Sequence, residues 1–201
     1  MVRSCFIILS FLVPGHFVFA QVPMDTLAIQ QELAAIYDRD QKTRVNGDST
    51  EYATYIDSCN LAQVEKLITN YGWMGTSTIG TKANYTLFLV IQHAELATQE
   101  KYYPMMEQSV MEGESRPVDL AMLKDRILMR QGKKQLYGSQ VVFNKITGDQ
   151  EFYPIEDERN VNVRRAKVGM IPLEEYATYF GIDLNCQTNK KYHGRTKGTL
   201  G

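Results

Sequence analysis

The sequence predicts an α+β fold: a mainly helical single domain of about five or six helices, with one β-hairpin near residues 134–155. Three observations carry that prediction. Apolar residues recur at spacings of three and four in several stretches between Asp25 and Gly132, the pattern of helices that bury one face. From Gln135 onward two runs rich in β-branched and aromatic residues flank a cluster of turn residues. The length beyond an apolar leader, 181 of 201 residues, suits one ordinary domain with a core that needs no staples.

The leader comes first. Arg3 precedes an apolar run from Cys5 to Val13, Pro14-Gly15 breaks it, and Val18-Phe19-Ala20 sets small residues around a cleavage point. Residues 1–20 therefore read as a signal peptide cut near Ala20, with export to a periplasm or the exterior. The run is far shorter than the roughly 20 residues of a membrane span, so no span is expected after cleavage. Asp25 or Thr26 caps a first helix that runs to about Arg44. Residues 46–57, opening on Asn46-Gly47-Asp48-Ser49, read as a loop. A second helix starts at Asp57 or Ser58, carries Leu61, Val64, Leu67 and Ile68 at helical spacing, and stops at Gly72. After a Gly/Ser/Thr connection, a third helix covers about Lys82 to Ala97; Leu87 to Ile91 is apolar on all sides, which marks it as the central buried helix. A fourth runs from Glu100 to Met111, interrupted by Pro104. Pro117, a favoured first-turn residue, opens a fifth that ends near Gly132.

Gln135–Phe143 and Gln150–Ile155 are the predicted strands, with Lys145 to Asp149 as their turn. Residues 158–168 are charged and match neither period. Pro172 to Phe180 reads as a short last helix stopped by Gly181. The globular domain is thus expected over 21–184. Residues 185–201, with Lys190, Lys191, Arg195 and Lys197, form a basic flexible tail.

The formal charge is −1, and loss of Arg3 with the leader makes it −2. That balance argues against a dedicated nucleic-acid binder. Neither a phosphate-binding Gly-x-x-x-x-Gly-Lys-Ser/Thr nor a Gly-x-Gly-x-x-Gly is present, and no cofactor is expected. His-Glu-x-x-His and Cys-x-x-Cys are also absent, so no metal site is expected. Only Cys59 and Cys186 remain beyond the leader, and two cysteines are not a disulfide framework.

The informative residues are polar ones set in apolar stripes. Ile29, Leu33 and Ile36 make a stripe that continues at Asp40 and Arg44, which are four apart and can pair; Tyr37 leads likewise to Gln41. The apolar centre of the third helix ends in Gln92-His93, with Glu95 further round. The fifth helix sets Asp125-Arg126 among Ala121, Met122, Leu123, Ile127 and Leu128. The first predicted strand carries Gln135, Tyr137, Ser139 and Gln140 around Gly138, a position for a bulge or a close approach. A charge aimed at a core is costly unless paired. If these faces converge, they build one polar cluster.

Asp40-Gln41-x-x-Arg44, Gln92-His93-Ala94, Asp125-Arg126, Gln135-x-Tyr137-Gly138-Ser139-Gln140 and Arg164-Arg165-x-x-Val168-Gly169 together resemble the motif series of an uncharacterised bacterial family of unknown function. The resemblance covers about Leu33 to Tyr176. It implies a set of positions and no mechanism. Members of that family often carry threonine where Ser139 stands, which argues against a role that needs a serine. They usually carry proline where Met74 follows Gly72-Trp73.

Three readings of the cluster follow. In the first, Arg44, Arg126 and one of Arg164 or Arg165 bind a small anionic or polar ligand, while Gln41, Gln92, Gln135, Tyr137 and Gln140 orient it. In the second, His93 acts as general base of a hydrolase, oriented by Asp40 or Asp125, or two carboxylates among Asp40, Glu95 and Asp125 split the acid and base roles. In the third, the groups are a buried ion-pair network with a purely structural role. A Ser139–His93–Asp125 triad lacks the nucleophile-elbow context. Arg164-Arg165, taken alone, reads as a solvated surface pair.

Overall fold

A computed structural model describes residues 23–47 and 49–184. The expected leader and basic tail, and with them Cys186, lie outside the described residues. Among the described residues, eight α-helices and one antiparallel hairpin follow in chain order: α1 (Thr26–Val45), α2 (Thr50–Tyr71), α3 (Thr76–Ile79), α4 (Thr81–His93), α5 (Leu96–Met111), α6 (Pro117–Arg130), β1 (Val141–Phe143), β2 (Gln150–Phe152), α7 (Val161–Lys167) and α8 (Leu173–Thr178). The chain is thus mostly helical with a hairpin, as expected. The two helices beyond the expected number are the single turn α3 and α7, which occupies the charged stretch that matched neither period. None of the described helices is long and apolar enough to cross a membrane.

α1 begins where its cap predicts: the Asp25 side chain accepts from the Ala28 N–H. α2 begins two turns earlier than expected. Ser49 caps it by accepting from the Tyr52 N–H, so the loop is only a few residues long. Those first turns bury little, with Tyr52 and Tyr55 at least half exposed, and so carry no apolar stripe to read. The third and fourth predicted helices divide at a different place. α4 ends at His93; Ala94 and Glu95 are extended (ψ 169° and 158°), and Glu95 leads into α5. α5 passes through Pro104 without interruption. Pro104 faces solvent, where water can satisfy the carbonyl its missing N–H leaves free.

α4 packs against α1, α2, α3, α5 and α6, the central place that its all-round apolar sequence predicts. Leu33, Ile36, Val64, Leu87, Phe88, Ile91, Met106 and Leu123 form the helical core around it. A second, smaller apolar cluster joins Phe152 and Ile155 to Val161, Leu173, Ala177 and Ile182. The strand expected over Gln135–Phe143 is a strand only at Val141–Phe143, which pairs with Gln150–Phe152. Residues 135–140 form a loop instead, joined to the hairpin base by a parallel bridge between Gln135 and Ile155 and by the Tyr153 N–H, which donates to Gln140 O. Gly138 has φ +69°, and a Cβ there would lie 2.8 Å from Leu173 Cδ1 and 2.9 Å from Ile155 Cδ1. The loop approaches the second core too closely for any side chain at that point.

Candidate functional site in the polar seam between the two cores

The loop at 135–140 is built around Asp125. This carboxylate, on the buried face of α6 and fully inaccessible, accepts from the N–H groups of Leu136 (2.7 Å), Tyr137 (3.1 Å) and Ser139 (3.0 Å) and from the Ser139 hydroxyl (2.9 Å). Burial raises its pKa, and the backbone N–H groups of Ser139, Leu136 and Tyr137 pull it back down. The loop carbonyls face arginines. Arg164 Nε donates to Leu136 O (2.7 Å), and Arg165 Nη1 donates to Tyr137 O (2.6 Å) while its Nε reaches Ile171 O (2.6 Å). Arg165 is only 2% exposed and lies over the Tyr176 ring. This pair is therefore not the solvated surface expected of it. Val161 and Arg165 share the buried face of α7, and the loop carbonyls satisfy the guanidinium.

Gln135 closes the loop on itself. Its amide donates to Gln140 O (2.9 Å) and Tyr153 O (2.7 Å) and accepts from the Gln140 N–H (2.8 Å). Both ends of the side chain are thereby used. The Tyr137 backbone is held between Asp125 and Arg165. The Gln140 side chain points the other way along a directed chain. Its Nε2 donates to Ser139 Oγ (3.0 Å), and its Oε1 accepts from Arg126 Nε (3.1 Å).

Arg126 belongs to a second group, centred on His93 at the end of α4. Asp40, 1% exposed on α1, accepts Arg44 Nη2 (3.0 Å) and Nε (3.3 Å) and the Gln41 amide (2.9 Å). Arg44 Nη2 also reaches Asp57 of α2 (2.8 Å). His93 Nε2 stands 4.0 Å from Asp40 Oδ1. Arg130, one turn after Arg126 on α6, donates to the Ala94 carbonyl, which the break between α4 and α5 leaves free. Neither Arg126 nor Arg130 has a carboxylate partner among the described residues.

The electrostatics follow from this arrangement. The His93 pKa falls to about 4, first because the partly buried ring is desolvated, then because of Arg44, with Asp40 opposing and Arg126 and Arg130 adding to the fall. The imidazole is neutral at pH 7. Arg126 is itself depressed, first by burial and then by Arg130 and Arg44. Like charges one helical turn apart repel, so α6 holds this pair at a cost.

The structure thus brings together Asp40, Gln41, Arg44, His93, Arg126 and Gln140. It places Asp125, Gln135 and Tyr137 in the adjoining loop network. Gln92 is buried beside His93 in the chain; its carbonyl accepts from Gln99, and its side-chain oxygen has no hydrogen-bond partner. Arg130 escaped the sequence reading, although its position four residues after Arg126 was a usable signal. Asp57 was read only as a helix start. Among the described residues no group of three His, Cys, Asp or Glu side chains could hold a metal ion. A cavity of about 570 Å³ lies apart, against Lys134, Pro154, Ile155, Asp157, Glu158 and Arg159, and none of the predicted residues lines it.

No curated protein and no solved structure matches the chain. One family model does, over residues 26–184, the span that holds both cores and the polar seam between them, and the chain belongs to that family, a family of unknown function (DUF6624).

Proposed function

We propose that the protein binds a small anion in the basic half of the polar seam. The observation that carries this reading is the Arg126–Arg130 pair. These two guanidinium groups lack carboxylate partners among the described residues, stand one turn apart on α6, and act on a partly buried, neutral His93 together with Arg44. Arg126 is partly buried and Arg130 is exposed; an uncompensated, partly buried arginine is costly to a fold, and bidentate recognition of an oxyanion is what the planar guanidinium fork does well. Gln41 and Gln140 supply neutral hydrogen-bonding groups at the edges of the site. The export signal expected in residues 1–20 would put this site outside the cytoplasm.

For Asp125, Gln135 and Tyr137 a structural role is favoured instead. The Asp125 carboxylate is enclosed by the donors of its own loop, which leaves it no route to a substrate. A hydrolase built on His93 and Asp40 has weaker support, because an imidazole with a pKa of about 4 is a poor base at neutral pH.

The test is thermal unfolding with sodium sulfate or sodium acetate at constant ionic strength. At a hundredfold excess over its Kd a ligand adds about 2.7 kcal/mol, roughly 5–10 °C for a domain of this size. The expected result is such a shift in the wild type and its loss in Arg126→Ala. An equal shift in both proteins would rule the site out.

A further inference from the structure

The donors left over in this site identify the kind of anion. Arg126 commits its Nε to Gln140 and leaves both Nη atoms without a protein partner among the described residues. Arg130 commits one Nη to Ala94 and leaves Nε and the other Nη. Arg44 commits Nε and one Nη to Asp40 and Asp57 and leaves the remaining Nη. These donors come from two helices and outnumber what the two oxygens of a single carboxylate use in one bidentate pair. A tetrahedral group offers a third and a fourth oxygen in other directions.

The charge balance points the same way. The charged groups that act on His93 are Asp40 and Arg44 of α1 and Arg126 and Arg130 of α6, and Asp57 of α2 joins them through its ion pair with Arg44. With His93 neutral, three arginines stand against two aspartates. One negative charge balances the site. A second is left over unless the site takes up a proton, and His93 is the group placed to hold it.

Resting on the anion-site reading above, we infer that the site takes a tetrahedral dianionic oxyanion, a phosphoryl group or a free sulfate ion, and that His93 takes up a proton as it binds. The imidazolium then stands between the bound oxyanion and the Asp40 carboxylate, with partners for its charge on both sides. No bond is made or broken; one proton moves from solvent to the imidazole. Binding therefore strengthens as pH falls. If the anion returns His93 to its ordinary pKa near 6.5, affinity rises about tenfold between pH 7.5 and 5.5.

Sulfate is the probe, because unlike phosphate it does not titrate near neutrality. Calorimetric titrations of the full chain at pH 6.5, in buffers of differing ionisation enthalpy, count the protons taken up. The expected result is proton uptake with sulfate, none with acetate, and tighter binding of sulfate. Histidine NMR resonances should show the His93 ring becoming protonated as sulfate is added, a measurement that needs no variant. His93→Gln should bind sulfate more weakly, with no proton uptake and no pH dependence over this range. Sulfate binding without proton uptake, or acetate binding as tightly, overturns this inference and leaves the anion site standing. If neither anion binds, both readings fall.

Discussion

Asp125 shows how a single residue can be conspicuous in a sequence and have its chemistry fully used within the fold. Its position amid Leu123, Ile127 and Leu128 marks it as a buried charge, but only the folded loop shows the N–H groups and hydroxyl that surround it. Replacing it with asparagine turns one acceptor into a donor facing other donors. Asp125→Asn should cost about 3 kcal/mol or more, read by urea unfolding, because buried backbone N–H groups lose their partner. Ser139→Ala removes one hydroxyl from the same network and should cost about 1 kcal/mol. A small loss in Asp125→Asn would mean that Gln135, Arg164 and Arg165 hold the loop without it. Residue positions were legible here; residue roles were not. Gln135 and Gln140 sit on one short segment with the same side chain, yet Gln135 closes the loop and Gln140 leaves it for Arg126. That division depends on the direction each side chain takes from an irregular backbone, which no periodicity encodes.

Among the elements, those legible in the sequence are the ones with a strong apolar pattern or a clear start signal. α1 with Asp25, α4 with its all-round apolar centre and α6 with Pro117 are where the pattern puts them. The errors fall where burial is slight or the backbone is special. The exposed start of α2 had only Ser49 to announce it. The break at Ala94–Glu95 has no glycine or proline in it, and the tertiary partner of its free carbonyl, Arg130, lies 36 residues away. Pro104 does not interrupt α5, because a proline on the solvent side weakens a helix without ending it. That position gives a direct test. Pro104→Ala restores a backbone hydrogen bond to the Glu100 carbonyl at an exposed site. It should stabilise the protein by about 1–2 kcal/mol, less than the full helix-propensity difference, because proline also restricts the unfolded chain. No gain would imply that α5 is strained against α6 at this turn.

Across the whole molecule, a partly buried histidine and a buried aspartate at opposite ends of the helical layer have opposing proton linkages. His93, at the C-terminal end of α4, has its pKa lowered from 6.5 to about 4. Asp119, in the first turn of α6, has its pKa raised from 3.8 to about 6, by burial, against the pull of Arg116 at 3.6 Å. Between pH 6.5 and 4 the unfolded chain protonates its histidine while the folded one does not, so the His93 contribution falls as pH falls. Over nearly the same range the folded chain holds a proton on Asp119 that the unfolded chain releases, so this contribution rises as pH falls. Each is worth about 3 kcal/mol across the window, with opposite signs. Their sum is close to flat in the wild type, and single substitutions should separate them. Relative to wild type, Asp119→Asn should lose about 3 kcal/mol on going from pH 6.5 to 4, and His93→Gln should gain a similar amount. Chemical denaturation at a series of pH values measures both difference profiles, in which all other titrating groups cancel. If bound sulfate protonates His93, saturating sulfate should remove the His93 contribution from the wild-type profile and leave that of Asp119. Relative to the ligand-free protein, the sulfate-bound protein should then gain stability as pH falls through 6.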